Sequence, residues 1–352
     1  MLRTLQIQNF RCLEAVSLEL ATNCSVVTGE NGAGKTSLLE AVFTLSRGRS
    51  FRSSRRDAVV RHGTQAATIF GLIESEHLTH RVGLEIGRSE RRIRINGEDR
   101  PSIGEVTQLL PVQLIDPTVH TLIEGGPDRR RQFIDFGVFH VERRFMETWS
   151  QYRRAVSQRN SALRAMSADA ELDTWDASVA SLAETLTEQR QTGLALLDQH
   201  WPSLMELVLP DTEVALTFKR GWREDVSLLD LLRQHRARDR DSGLTGDGAH
   251  RADLRIDFRS RVARHQVSRG QQKLLASALV LAQVAAIQAQ TGQQSVVMLD
   301  DPAAELDTKN LDRLLGLVFD IPCQRIVTAL DATRLQLPTD APVFHVEHGQ
   351  IR

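Results

Sequence analysis

The sequence predicts an α/β fold, a mixed sheet flanked by helices, into which a mostly helical second domain is inserted. Three observations support this prediction. Both ends of the chain contain short runs in which apolar and polar residues alternate, as in half-buried strands. The middle of the chain, from about residue 141, repeats its apolar residues with the period of a helix. A glycine-rich segment at residues 29–36 joins a predicted strand to a predicted helix.

Length and composition limit the number of domains and the kinds of partner and metal site that the chain can have. A chain of 352 residues is long for one compact domain and suggests two. A hydrophobic content of 41% supports a substantial core, and a net charge of −1 gives no global attraction to nucleic acid or to an anionic membrane. The three cysteines are odd in number and lack CxxC spacing, which argues against a metal centre or a disulfide framework.

The location of the protein is predicted from its apolar runs. The first residues, MLRTLQIQNFRCLE, lack the apolar core of a signal peptide, and no run approaches the length of a membrane span. We therefore expect a cytoplasmic protein with no membrane partner.

The first predicted elements are strands. Leu5 and Ile7, and then Val16, Leu18 and Leu20, alternate with polar residues, and residues 25–28 form an apolar run. Residues 66–95 alternate in the same way before a predicted turn at Asn96-Gly97.

The middle of the chain is predicted to be helical. Two apolar stripes, separated by residues 167–171, indicate two antiparallel helices that form a hairpin arm. A short strand at residues 214–218 and a helix near residues 226–237 follow, and strands and helices alternate again after residue 251. The predicted α/β head therefore comprises residues 1–115 and 250–352, and the inserted arm comprises residues 116–249.

Residues 29–36 read GENGAGKT and match G-x-x-x-x-G-K-[ST] between a strand and a helix, the context that this phosphate-binding motif requires. The glycines allow the backbone to wrap a phosphate, Lys35 would neutralise the β/γ charge, and the Thr36 hydroxyl would help hold Mg²⁺. The motif predicts ATP or GTP binding. The residues expected to contact the nucleotide are Gly29, Glu30, Asn31, Gly32, Ala33, Gly34, Lys35, Thr36 and Ser37.

Residues 296–301, VVMLDD, form an apolar run that ends in two carboxylates. Such a run is typical of a parallel strand buried on both faces. Asp300 would then orient the Mg²⁺ shell, and Asp301 would polarise the attacking water. The alternative is a strand followed by a solvated acidic turn.

Residues 268–272, SRGQQ, begin a helix that is otherwise apolar. The simple interpretation makes Ser268 the N-cap, with Gln271 completing a capping box. However, the phosphate loop, this turn and the strand ending in DDPAAELD (residues 300–307) together resemble the ATP-binding-cassette (ABC) ATPases. In that family the serine–glycine helix start contacts the γ-phosphate of ATP held by a second subunit. The resemblance implies that Ser268, Arg269, Gly270 and Gln271 contact nucleotide in a homodimer formed on ATP binding.

The resemblance also assigns a role to Gln113 in the segment PVQLIDP, which is placed like the Q-loop glutamine and would act in catalysis and on Mg²⁺. The insertion between Gln113 and Ser268 is longer than the helical subdomain of transporter cassettes. It is much shorter than the coiled coils of SMC and Rad50 heads. A short-armed DNA-repair ATPase fits this spacing best.

Further segments resemble the RecF family, in order, across the whole chain: LQIQNFRCLE, LSRGRSFRS, GGPDRRRQFIDFGVFH, QRNSALR, KRGW and HRADLRI. The resemblance implies an ATP-dependent homodimer that binds gapped DNA, at junctions of single strand and duplex, and works with RecR and RecO in loading RecA. Two positions depart from the expected pattern. Ala249 replaces the usual proline of a GPHR segment, and Ala329 replaces the switch histidine of many cassette ATPases. Because Ala329 lacks the γ-phosphate contact of that histidine, we expect slow hydrolysis that serves as a switch.

Two groups of arginines are candidate DNA contacts: Arg47, Arg49, Arg52, Arg55, Arg56 and Arg61, and Arg129, Arg130 and Arg131. Such contacts would neutralise phosphates without reading base sequence. Either group is equally compatible with a solvated turn.

Two other functions remain open. A soluble ABC-type ATPase subunit without a DNA role, regulating translation or serving a transporter, shares the ATPase motifs but not the RecF-like segments within the arm. A P-loop kinase for a small molecule would leave SRGQQ unexplained.

Overall fold

The computed structural model describes residues 1–75, 78–88, 90–304 and 306–351. The chain forms two compact units. Unit 1 comprises Met1–Val119 and Ala276–Arg352, and unit 2 comprises His120–Leu275.

The strands fall into three sheets among the described residues. Their bounds are β1 (Leu2–Phe10), β2 (Leu13–Glu19), β3 (Cys24–Thr28), β4 (Ala66–Ser75), β5 (Leu78–Gly87), β6 (Arg91–Ile95), β7 (Glu98–Arg100), β8 (Val112–Ile115), β9 (Val214–Lys219), β10 (Asp253–Phe258), β11 (Arg261–Val262), β12 (Val296–Asp300), β13 (Gln324–Ala329), β14 (Val343–Glu347) and β15 (Gln350–Ile351).

The helices lie mostly in unit 2. Their bounds are α1 (Lys35–Arg47), α2 (Gly104–Leu109), α3 (Thr121–Glu124), α4 (Pro127–Val141), α5 (Phe145–Arg164), α6 (Asp169–Asp198), α7 (Trp201–Val208), α8 (Leu228–Gln234), α9 (Arg236–Ser242), α10 (Arg269–Thr291) and α11 (Thr308–Asp320).

Unit 1 contains two of these sheets. The first is antiparallel, in the order β2-β1-β4-β5-β6-β7. The second has the order β15-β14-β3-β13-β12-β8, in which the strands from β14 to β8 are parallel and β15 returns antiparallel. This mixed architecture confirms the predicted α/β fold. Every residue of β3, β12 and β13 is buried, which explains the apolar run of residues 296–299 in β12.

Helix α1 packs into the core of unit 1. Its residues Leu38, Leu39, Val42 and Leu45 recur every three or four positions and are fully buried. They join the apolar residues of both sheets in one core cluster. Because α1 begins directly after residues 29–34, this packing fixes the end of the glycine-rich loop.

The predicted turn at Asn96-Gly97 joins β6 to β7. Both residues have positive φ, 53° and 89°, as a tight two-residue hairpin turn requires.

The predicted hairpin of antiparallel helices is present in unit 2 as α5 and α6. Near its tip Arg159 pairs with Asp176 at 2.6 Å, and near its base Gln189 donates to Thr148. The side chains of Arg159, Asp176 and Asp239 are completely buried, and the arginine bonds both carboxylates. Full pairing compensates the cost of burying these charges. Helix α6 begins at Asp169, inside the segment expected to separate the helices.

The single helix expected near residues 226–237 is instead two short helices, α8 and α9. Ser227 caps α8 by accepting a hydrogen bond from the N–H of Asp230. The two helices meet at His235, whose backbone departs from helical geometry.

The boundary of the insertion also differs from the prediction. We expected residues 250–275 in the head and residues 116–119 in the arm. In the structure, residues 250–275 belong to unit 2, which contains the arm, and residues 116–119 belong to unit 1. The main reason is strand pairing, because β10 forms an antiparallel ladder with β9 from Asp253 opposite Lys219 to Phe258 opposite Val214.

Helix α10 is long and apolar enough to cross a membrane by length and composition, contrary to our expectation that no run approaches a span. However, 72% of the most apolar 18-residue stretch of this helix is buried inside the protein. A buried core helix has the same composition, and burial accounts for the apolar residues of α10.

Candidate nucleotide-binding site

The glycine-rich loop follows β3, whose neighbours in the sheet are β13 and β14. Gly29, Gly32 and Gly34 have φ of 150°, 83° and 123°, values that residues with a side chain rarely adopt. A Cβ at Gly29 would also overlap the carbonyl of Val346. The motif glycines are therefore required by the conformation of the loop.

Lys35 is the first residue of α1, and its side chain turns back over the loop. Its ammonium donates to the carbonyl oxygens of Gly29 at 2.7 Å and Glu30 at 3.0 Å. The residue is only 6% exposed. The positive charge therefore lies beside the loop backbone.

Asp300, at the carboxyl end of β12, lies beside the first turn of α1. The hydroxyl of Thr36 lies 3.1 and 3.0 Å from the two carboxylate oxygens of Asp300. Thr328 at the end of β13 donates to the same carboxylate at 2.8 Å. The structure thus brings together Thr36 and Asp300, two of the three residues predicted to hold Mg²⁺, and adds Thr328, which the sequence analysis did not identify.

Asp301 follows β12 in a left-handed conformation, with φ of 46°. Its N–H donates to the Thr328 hydroxyl at 2.9 Å. Burial raises the pKa of the Asp301 carboxyl, an effect that nearby Lys35 opposes and Asp300 reinforces. A raised carboxyl pKa is expected of a group that accepts a proton during a reaction.

Gln113 is not among these contacts. It lies within β8 opposite Val297, three residues before Asp300 along β12. Its side-chain amide donates to Gln283 in α10 at 2.5 Å. Its expected role on Mg²⁺ therefore stays a prediction that requires the Gln283 bond to break.

The turn that begins α10 belongs to unit 2. The N–H of Ser268 donates to the Gln271 side chain at 2.9 Å, and the N–H of Gln271 donates to the Ser268 hydroxyl at 3.3 Å. These reciprocal bonds form the predicted capping box. Ser268 and Arg269 are exposed, and Gly270 is partly exposed.

Two of the arginines predicted to contact DNA make hydrogen bonds within the fold. Arg130 is 9% exposed and pairs with both carboxylate oxygens of Asp253, at 2.7 and 3.0 Å. Arg47 donates to the carbonyl of Val112 at 2.6 Å, and burial lowers its pKa from the ordinary arginine value. Both guanidinium groups serve the fold.

Five of the remaining candidates are exposed: Arg49, Arg52, Arg55, Arg56 and Arg129. The other two, Arg61 and Arg131, are partly exposed. Among the exposed candidates, Arg55 pairs with Asp57 at 2.7 Å on the surface. Exposed pairs of this kind contribute little stability, so such an arginine can exchange its partner for a phosphate.

Glu40 was missed by the sequence analysis. It is completely buried in α1 and accepts hydrogen bonds from Arg11 at 2.6 Å, Ser50 at 2.5 Å and Arg52 at 3.5 Å. The available signal was an acidic residue within the buried face of the helix that follows the loop. Through Glu40 the segment that carries the exposed arginines is attached to α1.

Among the described residues, no group of three or more histidine, cysteine, aspartate or glutamate side chains could hold a metal ion unaided. Glu305, part of the ABC-like segment DDPAAELD, lies outside the described residues.

A phosphate loop at the end of a central parallel strand, beside a strand that ends in Asp300, defines an ABC-type ATPase head. Residues 1–350 match the family model described as RecF/RecN/SMC N terminal domain. The DNA replication and repair protein RecF of Stenotrophomonas maltophilia is 39% identical over 99% of this chain and 98% of its own length. That of Erwinia tasmaniensis is 37% identical with the same coverage. The chain therefore belongs to the RecF family of DNA replication and repair proteins.

Solved structures support the fold. A structure of the recombination mediator protein RecF with ATP, from the RecFOR pathway, superposes with a TM-score of 0.88 at 23% identity and covers 100% of this chain and 98% of that one. The Smc head domain of Pyrococcus furiosus superposes with a TM-score of 0.58 at 14% identity, covering 100% of this chain and 95% of that one. The predicted family and the predicted ABC-type head are confirmed.

Proposed function

We propose that this chain is an ATP-dependent DNA-binding protein of recombinational repair, which dimerises on ATP, hydrolyses it slowly and assists RecA loading with RecO and RecR. The observation that carries the proposal is the contact of Thr36 with Asp300 beside Lys35, on a chain of the RecF family.

ATP would bind with its phosphates on residues 29–36. The positive φ values of the loop glycines allow successive N–H groups to face an anion, and the start of α1 adds its dipole. Lys35 would exchange its carbonyl partners for the β- and γ-phosphates.

Thr36 and Asp300 fit a Mg²⁺ ion, because a hydroxyl and a carboxylate are the hard oxygen ligands that this ion prefers. Magnesium usually takes only one or two protein carboxylates, with phosphate and water as its other ligands, which agrees with the small donor set here. When bound, Mg²⁺ would neutralise charge on the transferred phosphoryl group.

Hydrolysis would use Asp301 as the residue that polarises water, in accord with the raised pKa of its carboxyl. No switch histidine stands at the end of β13. Ala329 pairs with Thr28, directly before the phosphate loop, and its methyl group cannot bond a γ-phosphate. Slow turnover is therefore expected, and Gln113 would contribute only after releasing Gln283.

Dimerisation would use the turn at the start of α10. In the capping box the Ser268 hydroxyl accepts one hydrogen bond, so its own hydrogen stays available to a phosphate oxygen of the other subunit. Arg269, Gly270 and Gln271 lie at the same helix start, which favours an anion. Capping and nucleotide contact are thus compatible.

DNA binding would use the exposed arginines of residues 52–56 and Arg129. With a net charge of −1, a single chain has a weak overall field. A dimer would place two arginine clusters on one duplex, which explains why ATP should promote DNA binding. The relatives named for DNA replication and repair, and the mediator of the RecFOR pathway, support DNA, RecO and RecR as partners.

The alternative is a soluble ABC-type ATPase subunit without a DNA role. Such a subunit would bind ATP with the same phosphate loop. DNA affinity distinguishes the two. We expect the wild-type chain with ATP to bind duplex and gapped DNA of unrelated sequence, with an affinity that falls as salt rises. Without ATP, binding should weaken. Failure of the ATP-bound chain to bind any DNA at low salt would favour the alternative.

A further inference from the structure

The last strands of the chain lie beside the phosphate loop. Strand β14 pairs in parallel with β3, the strand that leads into the loop, and His345 stands opposite Thr28. A turn at His348-Gly349 then returns the chain as β15. We call β14, this turn and β15 the C-terminal hairpin.

The C-terminal hairpin contacts both ends of the loop. At its start, the Thr28 hydroxyl lies 3.2 Å from Nδ1 of His345, and the carbonyl of Val346 occupies the space where a Cβ of Gly29 would lie. At its end, the N–H of Gly349 donates to the carbonyl of Ala33 at 3.0 Å. The loop is therefore held from one side by the His345 side chain and by backbone groups of the hairpin.

Gly349 is required by this packing as well as by the turn. His348 and Gly349 have φ of 48° and 78°, the conformation of a tight hairpin turn. A Cβ at Gly349 would overlap the carbonyl of Cys12. The turn at Asn96-Gly97 has the same conformation, but a Cβ at Gly97 would meet no heavy atom of the described structure within 4 Å.

We infer that the C-terminal hairpin is a positioning element for the phosphate loop, and that Gly349 determines nucleotide affinity without touching the nucleotide. This inference rests on the proposed nucleotide binding. A loop whose N–H groups already point in the required directions loses less conformational freedom when a ligand binds. Displacing the hairpin would release that constraint.

The two glycines supply a matched pair of variants. Gly349→Ala and Gly97→Ala place the same methyl group in the same turn conformation, so the strain within the turn is similar. We expect Gly349→Ala to weaken binding of ADP and of ATP alike, by about fivefold, the equivalent of one lost hydrogen bond. Gly97→Ala should bind both nucleotides as the wild type does. Titration calorimetry on the full chain measures these affinities.

Amide hydrogen exchange without nucleotide gives a second readout. Exchange at residues 29–36 should be faster in Gly349→Ala than in the wild type and unchanged in Gly97→Ala. Wild-type affinity and exchange in Gly349→Ala would overturn the inference, and so would equal loss in both variants. If the wild type itself bound no nucleotide, the proposed function would fail, while the exchange comparison would still test the hairpin.

A milder pair applies if Gly349→Ala does not fold. Val346 is fully buried against Gly34, whereas Val343 on the same strand is 56% exposed. Val346→Ala should weaken ADP binding relative to Val343→Ala. Equal affinities in these two variants would also overturn the inference.

Discussion

Thr328 and Asp300 are joined by a buried hydrogen bond of 2.8 Å between the ends of two neighbouring parallel strands. The same threonine hydroxyl accepts the N–H of Asp301 at 2.9 Å. One side chain thus orients the carboxylate proposed to hold Mg²⁺ and the backbone of the residue proposed to polarise water.

Lys35→Ala should bind ATP at least about tenfold more weakly, because it removes a charged hydrogen-bond donor to the phosphates. Asp301→Asn should bind ATP normally and hydrolyse it about 100-fold more slowly, the usual range for loss of a general base. Equilibrium ATP binding and single-turnover hydrolysis measure the two effects. Equal loss of ATP binding in both variants would contradict the assigned roles.

Asp301→Asn should also stabilise the protein at neutral pH. The pKa of Asp301 is raised in the folded state, so ionisation there opposes folding. The gain in folding stability over the wild type should be largest at pH values above the raised pKa. It should decrease as the pH falls from the raised pKa toward the ordinary pKa of aspartate. Asparagine tolerates the left-handed backbone of this position. Thermal unfolding of both proteins across this pH range checks the prediction, which a pH-independent difference would contradict.

ATP should dimerise the protein, and ADP should not. The reason is that the turn at Ser268 is proposed to contact the γ-phosphate of ATP held by the other subunit, and ADP lacks this phosphate. Ser268→Arg should abolish this dimerisation while ATP affinity of the monomer stays nearly normal. Light scattering under conditions that block hydrolysis gives the mass directly. A wild-type monomer in saturating ATP would exclude the shared site.

Replacing Arg52, Arg55 and Arg56 with alanine should reduce the slope of log affinity against log salt by up to about 2–3 units, since each duplex phosphate contact contributes about 0.9. The loss should be similar for unrelated DNA sequences.

The control for this variant removes three exposed arginines of unit 2: Arg143, Arg153 and Arg154. Both triple variants lose the same charge, so an equal change in slope would indicate a general field rather than contacts. An unchanged slope in the first variant, with dimerisation intact, would move the DNA site elsewhere, with Arg129 the next candidate.

Ala249→Pro should stabilise the protein by roughly 0.4–1 kcal/mol, because proline reduces the freedom of the unfolded chain. Ala249 is the first residue of a 3₁₀ turn, Ala249–Arg251, and the first residue of a helical turn is the position at which proline is most common. In this chain hydrogen bonds restrain the segment instead: Arg190 donates to the carbonyl of Ala249 at 2.6 Å.

Ala252→Pro is the matched control for this prediction. The N–H of Ala252 donates to the carbonyl of Ala249, so proline there removes a hydrogen bond and should destabilise. Denaturant unfolding measures both changes, and a loss of stability in Ala249→Pro would show that its backbone does not suit proline.

Features encoded by neighbouring residues were predictable from the sequence. The phosphate loop, the buried strand that ends at Asp300 and the capping box of Ser268 with Gln271 each have a residue pattern that lies within a short segment. The period of apolar residues also predicted the helical hairpin of α5 and α6, because each helix must bury one face.

Tertiary structure alone decided the rest. Arg130 looks like its exposed neighbour Arg129, but it is neutralised by Asp253, 123 residues further along the chain. Gln113 donates a hydrogen bond to Gln283, 170 residues away. Strand β10 belongs to unit 2 and not to the predicted head, because it pairs with β9. The physical reason is the same in each case. A local pattern indicates the secondary structure and the polarity of a residue. The groups that neutralise its charge, form its hydrogen bonds and determine its domain are distant in sequence, and only folding brings them near.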